Sequence, residues 1–220
     1  MTEAGDIDRV AADHLLTTTR SVRRRLDLSR PVPRDVLLEC IGIAEQAPVG
    51  SNQISRVRWL VVDDPDLKAG VADVYHEAWA PYAGRFDPDD LDDRARRTID
   101  AAAFIAEHLA EVPALVIPCV RRHRTVPDPA VAMPHAPATS VYGSVYPAVW
   151  SFCLALRSRG LGSSITTLHL YGADRVAALL GVPDTFLQAC LLPVGYYTGD
   201  TFRPVPRPDP TTITGFNGWD

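Results

Sequence analysis

Residues able to do chemistry stand in three short stretches. The first is Thr18-Thr19-Arg20-Ser21-Val22-Arg23-Arg24-Arg25. A guanidinium presents a planar fork of donors that matches a phosphate, and a neighbouring hydroxyl adds one more. Alternate residues of an extended segment point to one side, so Ser21 and Arg23 are expected to face one ligand. Taken alone, the cluster reads first as a solvated basic patch. The second stretch is Ala47-Pro48-Val49-Gly50-Ser51-Asn52-Gln53. Gly50 permits close backbone approach, and Asn52 offers both a donor and an acceptor to an amide-like ring edge. The third runs from Arg157 through Gly160-Leu161-Gly162-Ser163-Ser164-Ile165-Thr166-Thr167-Leu168. Its hydroxyls and backbone amides suit a ring or a polar substrate. The last two stretches also read as an ordinary helix-to-strand loop and a helix C-cap.

The elements around these stretches follow from apolar spacing. Val36, Leu37, Cys40, Ile41 and Ala44 recur at three and four, which predicts a helix ahead of Pro48 and Gly50. Val57 to Asp63 reads as a strand. Leu67 to His108 is helical but interrupted, and Phe86 to Arg94 is charged enough to be a solvated excursion, with a lid as the sharper alternative. Ala114 to Val120 and Ala189 to Tyr196 read as buried strands, and 121–140 as a loop. A helix is expected from Tyr146 to Arg159, closed by Gly160 in the left-handed conformation. Ile165 to Leu168 reads as a brief strand or loop. A short helix over Asp174 to Leu180 is closed by Gly181. The proline-rich tail from Thr198 to Asp220 has no core pattern. Three or four short strands among several helices predict an α+β or α/β layered fold.

Composition excludes several classes. The chain has 220 residues and a formal charge of -5, which argues against a general nucleic-acid binder. No run approaches the ~20 apolar residues of a membrane span, and the first sixteen residues lack the order of a signal peptide, so a cytoplasmic protein is expected. Cys40, Cys119, Cys153 and Cys190 are too scattered for a CxxC pair and read as buried free thiols; the histidines form no metal motif, so no metal is expected. GxGxxG after a strand, GxxxxGK[ST] and GxSxG are all absent, against Rossmann, P-loop and serine-hydrolase sites.

The order of the motifs is more specific than any one of them. Arg20-Ser21-Val22-Arg23, Pro31-Val32-Pro33, Ala47-Pro48 with Gly50 and Asn52, and Arg58-Trp59-Leu60-Val61-Val62 come first. Ser144 to Val149, Arg159-Gly160-Leu161-Gly162-Ser163, Thr166 to Leu170, Leu179 to Pro183, Pro193 to Tyr196 and Pro206-Arg207-Pro208 follow. Together they resemble the nitroreductase family of flavin enzymes over about residues 16 to 220. The resemblance implies an α+β fold, a mixed central sheet packed between helices, in an intertwined homodimer. It implies one domain over 1–220, with an N-terminal arm at 1–19 and a tail at 198–220 that wraps the partner subunit. It also implies FMN at the interface, held by Arg20, Ser21 and Arg23, with Arg24 as a neighbour. Pro48, Gly50 and Asn52 would approach from the loop, Thr166, Thr167 and Leu168 would lie along the ring, and Arg207 would close over the phosphate.

A flavin carries the reactive atom, so no catalytic side chain is assigned. The implied activity is ping-pong hydride transfer from NAD(P)H to a nitroaromatic, quinone or other electron-poor small molecule. Oxygen-dependent dehydrogenation, reductive dehalogenation, flavin cleavage and a non-catalytic flavin-binding module remain open. Three departures from the family pattern bear on this. Val205 replaces a lysine, the residues after Asn52 are altered, and Trp150-Ser151 replaces QN, with Trp150 read as core.

Overall fold

Ala114-Leu115-Val116-Ile117-Pro118-Cys119-Val120 is apolar at every position, as a strand covered on both faces must be. In the computed structural model, which describes residues 7–49, 57–121, 136–200 and 202–219, it is β2, Ala114–Arg121. Ala114, Val116 and Val120 enter one core, and Leu115, Ile117 and Cys119 the other. β1 (Val57–Val62) divides the same way, with Val57, Trp59 and Val61 against the first core and Leu60 and Val62 against the second. The sheet therefore separates two apolar layers, each closed by helices.

The sheet order is β1-β2-β5-β3, where β3 is Leu161–Ser163 and β5 is Leu192–Tyr196; β4, Phe186–Gln188, also pairs with β2. Each of these described pairings is antiparallel. The expected α+β architecture, a sheet between helices, is thus present. β3 and β4 are three residues each, too short for a period-two signal to register.

Six α-helices are described. α1 (Arg9–Thr18) leads into the arginine segment. On one face of the sheet lie α2 (Arg34–Ala44), which buries Leu37, Cys40 and Ala44, and α5 (Ala136–Ser158), which buries Val145, Val149, Phe152 and Leu156. On the other lie α3 (Pro65–Ala83), α4 (Asp93–His108) and α6 (Ala173–Leu180). α5 starts ten residues before its expected beginning at Tyr146, so the expected loop over 121–140 is shortened from both ends. Pro147 sits inside that helix and hid its continuity. Gly160 and Gly181 take φ of 73° and 68°, as their places after α5 and α6 require. The charged stretch between α3 and α4 supplies caps: Asp87 accepts from the Asp89 amide and Asp92 from the Ala95 amide. All four cysteines are free and buried.

Candidate functional site

The backbone lays the arginine segment against the edge of the sheet. The Val22 amide donates to the Ser163 carbonyl at 2.8 Å, Asp27 to Tyr196 at 2.7 Å, and Thr198 to Arg25 at 2.9 Å. A turn closed by Leu26 N–H on the Arg23 carbonyl bends the chain midway. That turn overrides the expected alternation. Arg20 and Ser21 line one hollow, and Arg23 lines another.

The first hollow, about 80 Å³, is bounded by Thr19, Arg20, Ser21, Trp150, Cys153, Arg157 and Ser163. The second, about 220 Å³, is bounded by Arg23, Tyr75, Trp79, Tyr82, Thr166, Thr167, Leu168 and Tyr171. Ser164 and Ile165 border both, so the two meet along one stretch of chain. One end is cationic and rich in hydroxyls; the other is aromatic. Tyr82 and Tyr171 also face an outer hollow of about 300 Å³ that carries Glu77, Arg85 and Arg175.

Electrostatics set the arginines of these hollows apart. Arg34, Arg159 and Arg175 pair with Asp63, Glu39 and Glu77. Among the described residues, no carboxylate lies within ion-pair distance of Arg20, Arg23 or Arg157. The Ser163 hydroxyl is buried with no partner among the described residues. In the aromatic hollow, the Tyr75 and Thr166 hydroxyls are 2.9 Å apart. Burial raises the Tyr75 phenol above its ordinary pKa, opposed by the Thr166 hydrogen bond and the Arg23 charge, so the phenol keeps its proton at neutral pH. Thr166 itself is fixed by an antiparallel bridge to Leu191.

Other expected site residues lie apart. Arg24 turns toward α4 and donates to the Asp100 carbonyl at 3.3 Å. Pro48 borders a separate surface hollow with Leu15, Ile43, Ser158 and Arg159. Arg207 is exposed in the tail. Gly50 and Asn52 fall outside the described residues. Trp150, expected in the core, is 42% exposed and lines the first hollow instead. Sequence reasoning passed over Tyr75, Trp79 and Tyr82, whose spacing of four and three places them on one face of α3. It also passed over Arg157, which was absorbed into the helix-ending motif.

A sequence model of the Nitroreductase family matches residues 16–196. The chain belongs to the nitroreductase family. Solved structures with this nitroreductase fold include oxidized iodotyrosine deiodinase bound to FMN and 3-iodo-L-tyrosine, with 24% identity, a TM-score of 0.68, and 94% of this chain and 98% of that one covered. A BluB-like flavoprotein from Clostridium difficile 630 gives 20% identity and a TM-score of 0.68, covering 94% and 99%. The NADPH:FMN oxidoreductase of Vibrio harveyi, complexed with NAD+, gives 16% identity and a TM-score of 0.67, covering 94% and 77%. At these identities the likeness establishes the nitroreductase fold, and the chemistry must be argued from the site. No helix among the described residues is long and apolar enough to cross a membrane.

Proposed function

We propose that this nitroreductase-family chain is an FMN-dependent oxidoreductase that moves a hydride from NAD(P)H to an electron-poor small molecule such as a nitroaromatic or quinone. One observation carries the reading: a hollow bordered by two arginines and an aromatic hollow meet at Ser164 and Ile165. A flavin mononucleotide has that same polarity, an anionic phosphate at one end and a flat ring at the other. The residues fit it. Arg20 and Arg157 lack carboxylate partners among the described residues, and the buried Ser163 hydroxyl waits for one.

When bound, FMN supplies a two-electron carrier. Around it, Arg20 and Ser21 hold the phosphate, with Arg24 as a neighbour turned toward α4. Arg23 sets a fixed positive charge beside the polar edge of the ring, where preorganised charge stabilises developing negative charge. Thr166, Thr167 and Leu168 border the ring. With the ring in the aromatic hollow, donor and acceptor would take turns at its open face beside Tyr82 and Tyr171, which gives ping-pong kinetics.

Small-molecule sites usually enclose about 300–1,000 Å³, and the two hollows of one chain, about 80 and 220 Å³, together reach only the low end. We assign the remainder to a second copy, with Pro48, Gly50, Asn52 and Arg207 completing the enclosure across a homodimer. Leu16, Leu38 and Ile43 are exposed on α1 and α2, as an interface would require. Ile213, Phe216 and Trp219 are 70%, 83% and 99% exposed, which suits a tail reaching onto a partner. A second reading keeps the flavin and changes the acceptor to a haloaromatic or to oxygen; a structure of the same fold, the deiodinase, holds FMN with 3-iodo-L-tyrosine.

The deciding experiment is an absorption spectrum of the purified protein, followed by rapid mixing with NADH and NADPH. A yellow protein bleached by either nucleotide and restored by a quinone is expected. Colourless protein that takes up no added FMN would overturn the proposal, and bound flavin that neither nucleotide reduces would move the assignment to the second reading.

A further inference from the structure

Arg157 stands in the last turn of α5. Two residues on, Arg159 pairs with Glu39 and faces the surface hollow near Pro48. Arg157 instead turns to the cationic hollow. Its Nη1 donates to the Tyr197 hydroxyl, and its guanidinium carbon lies 5.0 Å from the Tyr197 ring centroid and 4.3 Å from that of Phe202. The Nε is buried without a partner among the described residues.

A basic side chain near a helix C-terminus is favoured by the helix dipole, and that alone would account for a basic residue in the last turn. It does not account for the rest. A guanidinium held in place by two rings, with a buried donor left over and no carboxylate among the described residues, is costly unless a ligand supplies the anion. The hollow that it borders already contains Arg20, Ser21 and the unpartnered Ser163 hydroxyl. Arg25 approaches the other partner ring, 4.3 Å from the Phe202 centroid, so two cations share one phenyl group. The hollow thus draws its second cation from α5.

We infer that Arg157 is a phosphate-binding residue, the second cation, with Arg20 and the hydroxyls of Ser21 and Ser163, of a pocket built for a phosphomonoester dianion. This rests on the FMN reading for the source of the phosphate, but the anion site follows from the side chains themselves.

The test compares FMN with riboflavin, which shares the ring and lacks the phosphate, by fluorescence quenching on the full chain stripped of flavin. R157Q is expected to weaken FMN by about tenfold or more, the scale of a charge-assisted hydrogen bond, and to leave riboflavin affinity unchanged. R157K should fall between, with charge kept and the fork lost. R159Q should bind FMN as the unsubstituted protein does. An FMN-to-riboflavin affinity ratio in R157Q equal to that of the unsubstituted protein would overturn the inference, and so would an equal loss of both ligands, which marks a packing role. Inorganic phosphate supplies an arm independent of flavin. It should raise the melting temperature of the unsubstituted protein more than that of R157Q. If neither flavin binds but this phosphate difference persists, the function proposed above fails and the anion site stands; equal phosphate shifts in the two proteins would remove the site.

Discussion

Gly162 and Val22 are in such close contact that a Cβ built on the glycine would lie 2.7 Å from Val22 Cγ2 and 2.8 Å from Val22 Cβ. No real Cβ sits that near, so β3 and the arginine segment are spaced by the absence of a side chain. G162A should therefore destabilise the protein by about 1–3 kcal/mol, the usual cost of overpacking. It should also weaken flavin uptake by shifting Arg20 and Ser21. Urea denaturation and flavin titration of G162A check this; V22A added to it should recover little, because alanine keeps the Cβ that lies 2.8 Å away. A G162A protein as stable as the unsubstituted one would contradict the packing argument.

The three neighbouring arginines should separate by mutation. R20A and R23A are each expected to weaken FMN by roughly 10- to 100-fold, since a hydrogen bond to a charged group contributes about 1.5–3 kcal/mol. R24A, whose side chain bonds the Asp100 carbonyl, should change FMN affinity by less than about threefold and act mainly on stability. Flavin titrations on the three variants decide the matter, and a larger loss in R24A than in R20A would reverse the assignment.

Tyr75 and Thr166 tie α3 to the chain that borders both hollows. A double-mutant cycle with Y75F and T166V should return a coupling of about 1 kcal/mol in stability. Because the pair lies in the aromatic hollow, Y75F should raise the KM for the acceptor more than the dissociation constant for FMN. Zero coupling would show that the two hydroxyls do not bond in solution.

His169 is fully buried, neither ring nitrogen has a partner among the described residues, and burial lowers its pKa from 6.5 to about 4. Above about 6.5 the ring is neutral in folded and unfolded chains alike and contributes no pH dependence. Between about 6.5 and 4 only the unfolded chain takes up the proton, so stability falls with pH, by about 3 kcal/mol in full. Asp63, Glu39 and Glu77, held low by their arginines, lose their contribution only below the ordinary carboxylate range. H169L should flatten the upper window and leave the lower one. Denaturation midpoints at pH 7, 6 and 5 measure it, and parallel curves for the two proteins would count against a buried neutral ring.

Legibility in the sequence followed the length of the signal. β2 was readable because seven consecutive apolar residues require cover on both faces, and α2 because its apolar residues recur at helical spacing. β3 and β4 carry three residues each and gain their pairing from β5 and β2, which no local pattern announces. The start of α5 was obscured by the prolines and histidines ahead of it and by Pro147 within it. Of the residues that line the two hollows, Arg20, Ser21, Arg23 and the Thr166–Leu168 run were singled out by motif order. Their division between two hollows was not, because it depends on the turn that Leu26 closes on Arg23. Trp150 looked like core since it lies on an apolar helix. Its exposure follows from facing a hollow bordered by cations rather than the sheet.

The contact between Val22 and Ser163 has a consequence for the apo protein. β3 ends the sheet, and an uncovered terminal strand offers its backbone to any other chain. The stretch that carries Arg20, Ser21 and Arg23 is also the stretch laid along that strand. The flavin proposed above would therefore rest on the same piece of backbone that covers the edge. Were this segment to lift, the strand would be open to intermolecular pairing, so added FMN is expected to slow aggregation on storage.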